Sequence, residues 1–87
     1  MNDYEWDERK RQENADKHDI DFTAIYDFDW DTAEQRSNTT HGEERWVATG
    51  YIGDRLHIVV YTWRGNRKRI ISLRKTNPRE DRDYAQA

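Results

Sequence analysis

The sequence predicts an α+β fold, in which a small antiparallel sheet has helices packed on one face. Three consecutive segments rich in β-branched and aromatic residues are joined by short turns that contain glycine, which is typical of a meander of strands. Polar segments that begin with good helix-capping residues stand before and after these strands. With 87 residues, the chain is expected to form one domain, residues 1–87, with a small core.

The first predicted helix covers residues 8–18. Residues 4–6 alternate like a strand, and Asp7 is then a suitable N-cap. Ala15 is the only apolar residue in this helix. A stripe of polar residues occupies the helix face that would ordinarily carry core residues. The stripe consists of Lys10, Asn14, Lys17 and His18.

Two interpretations of this polar stripe remain open at the level of sequence. The helix is either exposed to solvent, with His18 as a C-terminal cap, or it presents Lys17 and His18 to a ligand. Residues 21–28 then predict a second, short helix that covers the sheet, with Asp21 as its N-cap. The polar segment 29–44 predicts a loop or an irregular edge strand.

The predicted sheet occupies the second half of the chain. Its strands are residues 45–52, 56–63 and 68–75, and the short turns between them favour antiparallel pairing. Asn77 then serves as the N-cap of a short terminal helix that starts at Pro78, since proline is favoured at the first helical position.

Charge is unevenly divided along the chain. The formal net charge is −3, but residues 1–44 hold 14 acidic residues against five Lys or Arg, whereas residues 45–87 hold four against ten. The two halves therefore carry about −9 and +6. Two structural explanations are open: the halves neutralise each other across the fold, or the acidic half is a solvated face.

Cations concentrate where the predicted strands end. Guanidinium groups beside Tyr and Trp rings suit phosphates and unstacked bases, because arginine offers a planar donor fork and an aromatic ring offers a stacking platform. RNA is the ligand that this combination favours. Charged edges that prevent sheet aggregation, or contacts with an acidic partner, are the alternatives. These cations are Arg64, Arg67, Lys68, Arg69, Arg74 and Lys75.

Composition excludes several classes of site and protein. Without cysteine, the chain has no disulfides, thiolate metal sites or Cys nucleophile. No apolar run approaches the roughly 20 residues that span a bilayer, so we expect no membrane association and a cytoplasmic location. No predicted helix has a basic face suited to the major groove of DNA.

Several short motifs can be considered together because of their order and spacing. They are "EWDERKRQENADKHDIDFTAI", "GEERWVATG", "LHIVVYTWRG", "RIISLRK" and a final "RED" followed by Tyr84. In series they resemble the BrnT family, the toxin half of a bacterial toxin–antitoxin pair, over nearly the whole chain.

The resemblance implies a RelE-like fold and an endoribonuclease that inhibits translation and growth. It also implies cleavage without metal or cofactor, in which the ribose 2′-hydroxyl attacks the adjacent phosphorus. A ribbon-helix-helix antitoxin of the BrnA type would hold the toxin in a complex, and contact with DNA would occur only through that antitoxin.

The resemblance and the chemistry together suggest a set of site residues. Arg64, Arg69 and Arg74 are candidates for a phosphate clamp, with Lys17 reaching in from the helix. His18 and Glu43 are candidates for proton transfer in either order. His18 as a helix cap and Glu43 as an ion-pair partner of Arg45 are the structural alternatives. The full candidate set is Lys17, His18, Glu43, Arg45, Arg64, Arg69 and Arg74.

Two positions depart from the usual pattern of the family. Asp19 stands where glycine usually follows the Lys-His pair, and Trp30 stands where proline usually follows an aspartate. An inactive homologue, which would act only as an RNA- or protein-binding module, is therefore the alternative function. His41 and His57 match no motif and are expected at the surface or in packing.

Overall fold

The computed structural model describes residues 3–40 and 42–86, which form one five-stranded sheet with helical segments around it. The three predicted strands are confirmed, and each is one or two residues longer than predicted. In chain order the elements are β1 (Tyr4–Glu5), α1 (Glu8–His18), a 3₁₀ helix (Phe22–Asp27), β2 (Glu34–Thr40), β3 (Glu43–Ile52), β4 (Arg55–Arg64), β5 (Arg67–Lys75) and α2 (Pro78–Ala85).

The sheet has the order β1-β5-β4-β3-β2 and is mixed in direction. Strands β2 to β5 are antiparallel as predicted, but β1 pairs with β5 in parallel. The prediction of a purely antiparallel sheet is therefore wrong at this edge. Segment 29–44 contains a regular edge strand, β2, which pairs with β3 over its whole length and leaves residues 35–39 exposed.

The hydrophobic core lies between one face of the sheet and the 3₁₀ helix. The register aligns Ala48, Val59 and Leu73 across three neighbouring strands, and all three are fully buried. Phe22 and Ile25 from the 3₁₀ helix are fully buried in the same cluster. This face is therefore the one that the predicted second helix covers.

Helix α2 lies against the opposite face of the sheet. Its Glu80 binds Arg74, which pairs with Ile58 in the register and alternates with the core residue Leu73. Its Tyr84 contacts Tyr51 edge to face, with ring centroids 5.7 Å apart. The prediction that the helices share one face is therefore wrong for α2, because the capping sequence fixes where this helix begins and not which side it packs on.

A β-bulge in β5 changes which side chains share a face. Val60 pairs with Ser72, but the next residue, Tyr61, pairs with Ile70, so Ile71 has no partner in β4. As a result, Ile70 and Leu73 both enter the core. Strict alternation would place Ile70 and Leu73 on opposite faces, and the bulge is the reason that they share one.

Helix α1 lies beside the β5 edge and docks there through a polar side chain. Asn14 is buried and hydrogen-bonds with the backbone of Leu73 and Ile20. The predicted N-cap Asp7 is confirmed, since its carboxylate accepts hydrogen bonds from two backbone amides of the first turn. Asp19 ends the helix in the left-handed region at φ 57° and so adopts the conformation expected of glycine.

Candidate functional site

Four cations from four different elements line one pocket, with a volume of about 130 Å³, on the sheet face opposite the core. Among the residues that the structure describes, Glu43 is the only acidic one in its lining. Strand alternation places Thr62 and Arg64 on the same side of β4, and the bulge places Arg69 on that side of β5. We call this the cation pocket, and its cations are Lys10, Arg45, Arg64 and Arg69.

Arg45 forms the inner wall of the cation pocket. Its Nη2 lies 3.5 Å from Oε2 of Glu43, which is a loose ion pair. Its Nε atom is buried and has no hydrogen-bond partner among the residues that the structure describes. A buried donor without an acceptor is costly, and this atom is closed off from solvent, so the other donors of the guanidinium group are the ones that face a ligand in the pocket.

The other three cations of the cation pocket differ in whether an acidic side chain forms an ion pair with them. Nη1 of Arg69 binds Oε2 of Glu5 at 2.8 Å, which ties β1 to the pocket wall. Arg64 is exposed, and neither Arg64 nor Lys10 has an ion pair with any acidic side chain in the described ranges. Two positive charges are therefore available to a ligand.

A second pocket adjoins the cation pocket along the contact between α1 and β5. Lys17 and His18 line it, together with Asn14 and Ser72. Lys10 and Ile71 line both pockets, so the two form one continuous groove. Lys10 was not among the predicted site residues, although it belongs to the polar stripe of the first helix. That stripe was the signal that could have found it.

The groove separates the two candidates for proton transfer. Glu43 lies in the cation pocket, whereas His18 lies in the second pocket. Lys10 and His18 are eight helical residues apart, which corresponds to about 12 Å along the axis. Partial burial, then the charges of Lys17 and Arg74, lower the pKa of His18, so its imidazole is neutral at pH 7.

Arg74 does not lie in the cation pocket with Arg64 and Arg69. It forms two hydrogen bonds of 2.8 Å with the carboxylate of Glu80, and it lines neither pocket of the groove. It is five residues from Arg69 along β5, or about 15 Å. The predicted clamp of Arg64, Arg69 and Arg74 is therefore corrected: Arg74 fixes α2 to the sheet.

Among the other histidines, His57 is buried, with Nδ1 2.8 Å from the backbone oxygen of Arg55, and burial lowers its pKa. It is a packing residue, whereas His41 lies outside the described residues. Within residues 3–40 and 42–86, no group of three or more His, Asp or Glu side chains is arranged to hold a metal ion. None of the helices in this part of the chain is long and apolar enough to cross a membrane.

Comparisons with known proteins agree on one family. A family model described as "Ribonuclease toxin, BrnT, of type II toxin-antitoxin system" matches residues 6–80, which include every residue that lines the groove. The chain is also similar to a solved structure, the 1.1 Å crystal structure of the Brucella abortus ribonuclease toxin BrnT, with 28% identity and a TM-score of 0.69. That alignment covers 88% of this chain and 99% of the Brucella chain. No curated protein sequence matches.

Proposed function

Because the chain belongs to the BrnT family of ribonuclease toxins of type II toxin–antitoxin systems, we propose that it cleaves RNA in the cation pocket without a metal ion. The observation that carries this proposal is the convergence of Lys10, Arg45, Arg64 and Arg69 on one pocket. A phosphodiester there would meet two arginines that ion pairs already hold in place, Arg45 and Arg69, and the charges of Lys10 and Arg64, which form no ion pair with the described acidic residues. Preorganised charge of this kind is usually the largest contribution to catalysis.

Arg45 and Arg64 are the proposed phosphate clamp, with Arg69 completing the pocket wall. The place of Arg45 in the pocket lining supports a role for this residue, since its loose ion pair with Glu43 leaves guanidinium donors for a phosphate oxygen. Arg64 is exposed and has no ion pair with the described acidic residues, so it can approach a ligand without breaking an existing contact. Arg69 already forms an ion pair with Glu5. It therefore contributes mainly to the shape of the pocket, and its positive charge is partly neutralised.

Glu43 is the proposed general base. It is the carboxylate in the cation pocket, whereas His18 lies about 12 Å along the helix from Lys10. The 2′-oxygen of the ribose attacks phosphorus and its proton passes to Glu43. The bond between phosphorus and the 5′-oxygen breaks, that oxygen takes a proton from water, and the hydroxide left behind takes the proton back from Glu43. The products are a 2′,3′-cyclic phosphate and a free 5′-hydroxyl end.

Lys17 and His18 are proposed to bind the RNA beside the cleaved bond. They line the second pocket of the groove, which is continuous with the cation pocket through Lys10. Lys17 supplies charge for a neighbouring phosphate, and the neutral imidazole of His18 supplies a donor and an acceptor for a ribose or base. These residues therefore position the substrate.

The proposed cellular role and partner follow from the family to which the chain belongs. We expect the protein to act in the cytoplasm, where cutting RNA would inhibit translation and growth. Its expected partner is a ribbon-helix-helix antitoxin of the BrnA type, and contact with operator DNA would come from that partner. The predicted RelE-like classification of the fold belongs to the same proposal.

Cleavage of RNA by the purified protein in EDTA tests this function. We expect fragments with 2′,3′-cyclic phosphate ends, and we expect Arg64→Ala to lower the rate by about 10² to 10³, as for the loss of one donor to a charged transition state. Lys17→Ala should also weaken cleavage, through substrate binding. Arg82→Ala, which removes an exposed arginine of α2, is the matched control and should leave the rate unchanged.

The alternative is a binding module that holds RNA without cutting it. The separation of Glu43 from His18 is the observation that favours it, because no acid–base pair meets at one phosphodiester. RNA that is bound tightly by folded protein but stays intact, with or without added divalent metal ions, would establish this alternative. Cleavage that requires a metal ion would overturn the proposed chemistry.

A further inference from the structure

We infer that Trp63 is a stacking platform for an unpaired base of the RNA substrate, on the other side of the β4–β5 hairpin from the phosphate held in the cation pocket. The inference rests on the proposed function and names a substrate contact that the groove itself does not contain. It starts from an exposed tryptophan: 48% of the surface of Trp63 is accessible, although it stands in β4 among mostly buried residues. Tryptophan is enriched in binding surfaces, because its ring offers a large contact area at a low cost in conformational entropy.

The indole ring of Trp63 is held in a fixed orientation by its neighbours. Tyr61 contacts it edge to face, with centroids 5.9 Å apart and an interplanar angle of 84°. The ammonium group of Lys68 lies 4.8 Å from the Trp63 centroid and 4.5 Å from the centroid of Trp30. A ring fixed in this way loses little conformational entropy when a base stacks on it.

The position of Trp63 connects it to the cation pocket. Thr62 and Arg64, its neighbours in sequence, line that pocket, while Trp63 faces the opposite side of the sheet. The strand ends immediately afterwards at the Gly65–Asn66 turn, so the end of the hairpin is all that separates the two faces. A single strand of RNA that leaves the cation pocket and follows the exposed Arg64 and Arg67 around the end of the hairpin would reach the ring.

The positive charge near Trp63 favours RNA over a protein as the ligand that contacts this ring. The chain has no acidic residue between Asp54 and Glu80, and exposed Arg67 pairs with Arg64 at the end of the hairpin. A polyanion with aromatic bases matches both the cations and the ring, which is the usual arrangement for binding single-stranded nucleic acid. An acidic protein partner matches the cations but gives no reason for a fixed ring.

The test measures binding separately from cleavage. A short single-stranded RNA with 2′-O-methyl groups cannot be cut through its 2′-oxygen, so its affinity reports binding alone. We expect Trp63→Ala to weaken binding about 5- to 150-fold, the range for loss of one base–aromatic stack, and Trp63→Tyr to retain most of the affinity. Because stacking adds no charge, the salt dependence should stay unchanged in Trp63→Ala, whereas Arg64→Ala should lower its slope by about one.

Tyr51→Ala is the matched control, since Tyr51 is also an exposed aromatic residue but lies near the hairpin at the other end of β4. It should leave RNA affinity unchanged. If the wild type binds and cleaves RNA while Trp63→Ala binds equally well, the stacking inference is wrong and the proposed function stands. If the wild type neither binds nor cleaves, both are wrong. Loss of antitoxin binding in Trp63→Ala with unchanged RNA affinity would assign the ring to a protein interface.

Discussion

The side-chain amide of Asn14 in α1 forms the two hydrogen bonds to the backbone of Leu73 in β5 that a neighbouring strand would otherwise form. Its Oδ1 accepts a hydrogen bond from the Leu73 backbone N–H at 3.2 Å, and its Nδ2 donates to the Leu73 carbonyl at 2.7 Å. The same Nδ2 donates to the carbonyl of Ile20 at 3.1 Å. One buried amide therefore satisfies three backbone groups and attaches a helix that has almost no apolar residues.

Replacing Asn14 by aspartate should lower the free energy of unfolding by about 2 to 4 kcal/mol. The carboxylate cannot donate, so the carbonyls of Leu73 and Ile20 lose their partner and a charge is buried beside them. Chemical denaturation measures the change. Gln12→Ala, on the exposed side of the same helix, is the control and should change stability by less than about 0.5 kcal/mol. Equal effects of the two variants would contradict the role given to Asn14.

The ion pair between Arg74 and Glu80 should make part of the stability depend on acid pH. Arg74 lowers the pKa of Glu80 from its usual value of 4.5 to about 2. A group whose pKa is lowered by folding stabilises the protein above its unfolded pKa, and this contribution is lost as pH falls from about 4.5 to about 2.

Glu80→Gln isolates this charge, because glutamine can still accept the capping hydrogen bond from the Asn77 amide. At pH 7 we expect the wild type to be more stable than Glu80→Gln by about 1 to 2 kcal/mol, after allowance for solvent screening. The difference should shrink to nearly zero at about pH 2, as followed by denaturation at several pH values. A difference that does not depend on pH would show that packing, and not charge, is responsible.

Glu43 and His18 should affect cleavage in different ways. Glu43→Gln removes the proposed base and should lower kcat by about 10² to 10⁴ with little change in KM. His18→Gln keeps a hydrogen-bonding side chain and should mainly raise KM, since His18 lies in the second pocket. Steady-state kinetics on a short RNA distinguishes the two. A large fall in kcat for His18→Gln, with Glu43→Gln nearly fully active, would reverse the proposed roles.

Gly50 should tolerate no side chain. A Cβ atom there would lie 2.7 Å from Cζ of Phe28 and 3.1 Å from the backbone oxygen of Asp29. Since Phe28 is buried, we expect Gly50→Ala to lower the free energy of unfolding by about 1 to 3 kcal/mol.

Two further variants separate this clash from other effects of glycine. The double variant of Gly50→Ala with Phe28→Leu should lose less stability than the two single changes added together, because the smaller side chain makes room for the new methyl group. Gly53→Asn is the control at a turn with φ 64° and open space around it, where asparagine is tolerated. Full additivity in the double variant would contradict the clash.

The sequence predicts the elements that have strong local signals. The terminal helix is an example: Asn77, Pro78 and Glu80 form a capping box with proline at the first helical position, and these interactions lie within four residues. Strand β2 has no such signal, since "EQRSNTT" is entirely polar. It is a strand because β3 offers a free edge, and an edge strand needs little burial of its own.

The chemistry of the side chains alone predicts some residues of the candidate site. Whether a residue belongs to it also depends on contacts with distant parts of the chain, which the sequence does not show. Arg64 and Arg74 look alike in sequence, but Arg74 meets Glu80 from the following helix and Arg64 meets no described acidic residue. Lys10 and Arg45 lie 35 residues apart, and only the docking of α1 brings them to one pocket. Trp30 donates a hydrogen bond to Tyr4 and contacts the rings of Phe28 and Tyr61 edge to face, which residue type alone does not predict.

The bulge at Ile71 is the point in β5 where the strand can lose a residue without turning its side chains over. Because Val60 pairs with Ser72 and Tyr61 pairs with Ile70, deleting Ile71 would remove the bulge and leave both flanks in register with β4 and on their present sides. A deletion elsewhere in the strand would instead exchange the sides of every residue on one flank, so that arginines would turn inward or leucines outward. Length differences between relatives in β5 should therefore fall at this position.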